Sequence, residues 1–89
     1  MPLFRGKLVN DQDRVVVPSV EGFYQQRANP AGTPYWFGEL TVPRGEVVPL
    51  GPYRLVLDDG RSARIRVQDG TYRRDEPGRV LFEGQGSLP

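Results

Sequence analysis

The stretch "YRLVLDDGRSARIRV", residues 53–67, decides the fold. Tyr53, Leu55 and Leu57 alternate with Arg54 and Val56. After the break, Ala63, Ile65 and Val67 alternate with Arg64 and Arg66. A period of two is the signature of a half-buried strand. The turn between the two runs then selects the register. A two-residue loop at Asp59-Gly60 would set Leu57 opposite Ser62 and Leu55 opposite Arg64, apolar against polar on one face. A three-residue loop, Asp58-Asp59-Gly60, puts Gly60 in the left-handed position of a type I turn with a G1 bulge. It pairs Leu55 with Ala63 and Tyr53 with Ile65. Register follows the buried face, so the three-residue loop is expected. Arg54 and Arg64 then face each other on the outside, with Arg66 diagonal to them.

The rest of the chain repeats this grammar. No window sustains apolar residues at helical spacing, whereas short β-branched and aromatic runs sit between Gly, Pro, Asn and Asp. Strands are predicted near residues 3–9, 14–18, 20–27, 34–42, 46–50, 53–58, 62–68, 71–75 and 79–84, some of them extended connections. "VPRGE" is expected to turn with Pro43 second and Gly45 left-handed. Pro77-Gly78 favours a type II turn, after which Val80 and Phe82 face the core. Gly84 and Gly86, beyond Phe82, mark a close backbone approach or a bend. The longest loop is expected at 27–34. Eleven glycines and nine prolines in 89 residues suit short strands and tight turns. The expectation is a single all-β domain spanning residues 1–89, built as a small antiparallel, partly closed barrel of five to seven strands. A compact two-sheet sandwich is the alternative.

"TPYWFGEL", residues 33–40, carries three consecutive aromatics that one face cannot hold. Alternation puts Trp36, Gly38, Leu40 and Val42 inside, and Tyr35, Phe37, Glu39 and Thr41 outside. Gly38 is a candidate bulge. Phe23 and Tyr24 raise the same problem, since both cannot point inward. Apolar rings on the outside need cover. Either the loop 27–34 and the terminal "GQGSLP", with Leu88, fold over them as a satellite cluster, or Tyr24, Tyr35 and Phe37 form an aromatic platform for a partner.

Several chemistries have no residues to run them. The chain has no His and no Cys, so there is no Ser-His-Asp triad, no His base, no thiolate and no typical structural zinc site. No Gly-rich phosphate loop occurs. Asp11, Asp13, Asp58 and Asp59 read as turn-capping residues rather than calcium ligands. Catalysis by carboxylates alone ranks last. Catalytic residues, cofactors and metals are therefore expected to be none, and the protein is expected not to be an enzyme. Lack of Cys, of a leader-like start and of a long apolar run suggests a cytoplasmic protein with no membrane contact.

Net charge is +1, with five cations and five anions up to Gly51 and seven and six beyond it. That balance counts against nucleic acid. Arg54, Arg64 and Arg66 are the densest charged cluster. Like charges facing each other call for an anion, either a partner's or the chain's own at Asp69, Asp75, Glu76 or Glu83. The expected function is a small non-enzymatic binding or scaffolding module acting on a protein or peptide through Tyr24, Tyr35, Phe37, Arg54, Arg64 and Arg66. A single-stranded nucleic-acid-binding barrel is the alternative. A monomer or weak homodimer is expected.

Overall fold

The computed structural model describes residues 3–86. Six strands follow in order: β1 Leu3–Val9, β2 Val15–Ala28, β3 Pro34–Val42, β4 Gly51–Leu57, β5 Ser62–Thr71 and β6 Gly78–Gln85. They close into one barrel in the order β1-β2-β3-β6-β5-β4, with β4 returning to β1 and every pair antiparallel. The barrel is fully closed, and no two-sheet sandwich forms.

Three expected boundaries move, each for a local reason. The two strands expected at 14–18 and 20–27 are one, β2. Its register against β1 slips between Gly6 and Leu8, where β2 has an extra residue at Pro18-Ser19. A proline with no N–H to give is accommodated at such a bulge, so it bends the strand rather than ending it. Residues 46–50 form no strand. The turn after β3 has Glu46 N–H donating to the Pro43 carbonyl at 3.1 Å, so Pro43 stands first rather than second, with Gly45 at φ 90°. It opens a crossover, 43–50, to β4. Only Thr71 of 71–75 is strand, at the end of β5. The reversal to β6 lies at Arg73–Glu76. Gly78 is not in a left-handed turn position; it begins β6, packed beneath the Tyr72 ring.

The hairpin at 53–67 has the expected register: Tyr53 opposite Ile65, Arg54 opposite Arg64 and Leu55 opposite Ala63. Leu57 and Arg61 bracket the loop, with Leu57 N–H donating to the Arg61 carbonyl at 2.7 Å and Gly60 at φ 93°. The same loop occurs twice more. Asn10 and Arg14 enclose Asp11, Gln12 and Asp13, and Asn29 and Thr33 enclose Pro30, Ala31 and Gly32. In both, the Asn Oδ1 accepts two backbone N–H groups at 2.9–3.0 Å. The last loop residue has positive φ in each: 60° at Asp13 and 84° at Gly32. The expected long loop 27–34 is thus a tight turn. A Cβ at Gly60 would meet nothing within 4 Å, so the cost of Gly60→Ala is conformational alone. Urea titration should show a loss of about 1–2 kcal/mol; no loss would exclude the left-handed conformation there.

Inward-facing side chains fill the barrel: Leu8, Val17, Val20, Trp36, Leu40, Val42, Leu55, Leu57, Ala63, Ile65, Val67, Val80 and Phe82 are all buried. Tyr53, expected among them, is half-buried because it lies at the barrel mouth beneath the crossover. There its hydroxyl donates to the Pro49 carbonyl at 2.8 Å. The Tyr72 hydroxyl accepts from Val48 N–H at 3.0 Å and donates to the Val48 carbonyl at 3.2 Å. Two tyrosines therefore pin the crossover, and the buried Val48 plugs that end. Burial, and then the neighbouring Tyr72, pushes the Tyr53 phenol above its ordinary value.

Candidate functional site: the outer face of β3, β6, β5 and β4

β3 presents its two faces as its alternation requires. Trp36, Gly38, Leu40 and Val42 are buried, Tyr35 and Thr41 are exposed, and Phe37 and Glu39 are half-buried. Gly38 is no bulge, because its pairing with Tyr24 and Phe82 runs unbroken. It is glycine because a Cβ would strike the Phe23 carbonyl and the Phe82 ring.

Outside, the Tyr35 and Phe37 rings stack, with centroids 5.8 Å apart and planes 24° apart, and Tyr35 is 40% exposed. The Arg27 guanidinium lies 5.8 Å from the Phe37 centroid, a cation–π contact that covers part of the ring. So loop 27–34 contributes only through its first residue. Leu88, the other proposed cover, lies outside the described residues. Tyr24 does not join the platform. It points inward, packing against Trp36 at 6.1 Å and Phe4 at 6.2 Å.

The arginines share that outer face. Across the ladder Phe37 is opposite Glu83, and Glu83 is opposite Arg66. Arg64 stands opposite both Gln85 and Arg54. Aromatics on β3 and arginines on β5 are thus carried by strands two apart, with β6 between them. Arg54 donates to Asp13 Oδ1 at 2.7 Å. Its counter-ion is none of the acids expected but a turn residue 41 positions away, brought close because β1 pairs with β4. Arg64 and Arg66 form no ion pair with the described residues. The Glu83 carboxylate facing Arg66 accepts instead from the Gln68 amide at 2.6 Å. Beside Arg64 a shallow groove of about 370 Å³ is lined by Asn10, Asp13, Pro52, Tyr53, Arg54 and Gln85, among others.

Three contributors escaped sequence reading. Arg27 is found only from the β2–β3 register, which sets it opposite Tyr35. Phe23 and Leu81 flank Glu39 on the outside, Leu81 at 48% exposure. Their alternation was readable, but which strands neighbour β3 was not. Asp11, Asp13, Asp58 and Asp59 all lie in or beside hairpin turns, and no group of three or more potential metal ligands occurs among the described residues. The Asp59 carboxyl is held below its ordinary value, chiefly by the Arg61 backbone N–H it accepts. No helix among the described residues is long and apolar enough to cross a membrane. Compared with known proteins, the chain matches no family model, no curated protein and no solved structure.

Proposed function

We propose that this chain is a small non-enzymatic binding module that holds a protein or peptide on the outer face of β3, β6 and β5. One observation carries the reading: a stacked Tyr35–Phe37 pair on the outside of β3 lies across the single strand β6 from two arginines, Arg64 and Arg66, that have no ion-pair partner among the described residues. Aromatic rings and arginine are the side chains that dominate binding at protein interfaces. Of the acids on this face, Glu39 is engaged by Arg79 at 3.0 Å, Glu83 by Gln68, and Asp69, opposite Leu81 on β5, accepts the Gly70 N–H at 2.8 Å. The arginine charge on β5 therefore remains available to a ligand.

The test is selection of displayed random peptides on the wild-type protein and on the double variant Tyr35→Ser, Phe37→Ser. Peptides enriched on the first and lost on the second, with the variant's melting transition nearly unchanged, support the reading. A variant that mainly loses stability makes the pair a satellite core and removes the proposed site. Binding of oligothymidylate with a steep salt slope, and of no peptide, would favour a single-stranded nucleic-acid barrel instead.

A further inference from the structure

We infer that the groove between the Asn10–Arg14 turn and the β4–β5 hairpin is a site for a phosphate-type oxyanion, and that the Asp13 carboxylate holds part of it closed. The charge is set by the register. Leu57 and Arg61 are a hydrogen-bonded pair. By alternation Arg54 and Arg64 are then a non-hydrogen-bonded pair, the kind that brings side chains closest. Two arginines thus face each other on the outside of the barrel, an unfavourable arrangement unless an anion joins them. One oxyanion is already there: Asp13 Oδ1 accepts from Arg54 Nη2 at 2.7 Å. It answers only one of the two charges. Arg64 has no ion-pair partner among the described residues, and it lines a groove of about 370 Å³ together with Arg54 and Asp13. Asn10 and Gln85 line the same groove, and side-chain amides donate to oxygen. A phosphate monoester suits this set. It carries about 1.5–2 negative charges and three acceptor oxygens, enough to bridge two guanidiniums, whereas a single carboxylate repeats what Asp13 supplies.

Asp13 is placed to yield. It holds the last position of its turn at φ 60°, where the two sister turns have Gly32 at 84° and Gly60 at 93°. Left-handed backbone costs aspartate more than glycine, so the backbone gives no reason for aspartate at this position. The side chain does, through its contact with Arg54 across 41 positions of sequence. Both partners of that ion pair are exposed to water. Such a pair is weak, and an anion of higher charge that reaches both arginines can replace it. Asp11 also lines the groove and repels any anion, so the affinity of the unaltered chain is low. The site shares Arg64 with the proposed binding face but needs neither Tyr35 nor Phe37.

The experiment follows the arginine Nε–Hε resonances of ¹⁵N-labelled protein by NMR during titration with inorganic phosphate at constant ionic strength, with acetate for comparison. Saturable shifts are expected at Arg54 and Arg64. Asp13→Gly should lower the half-saturating phosphate concentration about fivefold, the release of one exposed ion pair. Asp13→Asn, which removes the charge and keeps the side-chain shape, should do the same and stands in should the glycine variant lose stability. Adding Arg64→Gln to either variant should cancel the gain. Shifts of equal size at every exposed arginine mark ordinary counter-ion screening and overturn the inference. An unchanged half-saturation point in both Asp13 variants overturns it too, and so does acetate binding as tightly as phosphate. Tyr35→Ser with Phe37→Ser should leave the phosphate titration as it is; a loss there would make the groove part of the aromatic face and overturn it as a site of its own.

Discussion

Leu55→Ala is expected to lower the unfolding free energy by about 2–5 kcal/mol, a large share of the roughly 5–15 kcal/mol that holds a domain together. Leu55 is 2% exposed. It is flanked on both sides within the ladder, by Leu8 on β1 and Ala63 on β5. Ala63 is already small, and its neighbours are held by backbone hydrogen bonds on a closed barrel. The site therefore cannot collapse around the lost atoms, which puts the cost toward the upper end of that range. The control is Val47→Ala on the crossover, where the side chain is 62% exposed and the change should fall within about 0.5 kcal/mol. Urea titration of both gives midpoints to compare at constant slope. Equal costs would mean that β4 had been assigned the wrong inner face.

That prediction was available from sequence because everything it needs is local. Leu55 is inside because the loop Asp58-Asp59-Gly60 has three residues, and the loop has three because only that register sets Leu55 against Ala63. The faces of β3 were legible for the same reason, and so were the inward positions of Val80 and Phe82. What could not be read was which strand lies beside which. β3 is followed in sequence by "VPRGEVV", which looks like a hairpin, yet β3 pairs with β6 and the chain crosses the barrel mouth before starting β4. The sequence carries this crossover only as Val48, Tyr53 and Tyr72, residues 24 apart at the Val48–Tyr72 hydrogen bonds. Pro18 misled for a different reason: it does not interrupt a strand that bulges around it.

The candidate site divides along the same line. Alternation alone puts Tyr35, Phe37, Arg54, Arg64 and Arg66 on the outside, and all five are there. That the aromatics and the arginines form one face depends on β6 lying between β3 and β5. Phe23 and Tyr24 compete for one inner position, and the sequence does not say which of them wins it; the barrel gives that position to Tyr24, beside Trp36 and Phe4. Asp13 is recognisable as a turn residue, but only closure of β1 on β4 lets it reach Arg54.

Gly84→Ala should destabilise the barrel by about 1–3 kcal/mol and disturb the proposed binding face with it. The Trp36 indole lies directly over Gly84, and a Cβ there would overlap its ring atoms. Trp36 has little room to yield. It is 3% exposed, packs edge-on against Phe82 at 5.9 Å, and donates its Nε1–H to the Gly86 carbonyl at 3.0 Å. Tyr35 and Phe37 are its chain neighbours, so any displacement of the indole shifts the backbone that carries the stacked pair. The protein has a single tryptophan, and its emission should shift to the red as the ring moves toward water. Binding at the outer face should weaken in the same variant, although no side chain of that face has changed. A double-mutant cycle with Trp36→Phe separates steric overlap from a general loss of strand stability. Phenylalanine removes the larger ring system that the added methyl group would strike, so the two substitutions together should cost less than the sum of their separate costs. Strict additivity would mean that Gly84 is required for backbone reasons alone, and that Trp36 does not couple the barrel's interior to the aromatic pair outside it.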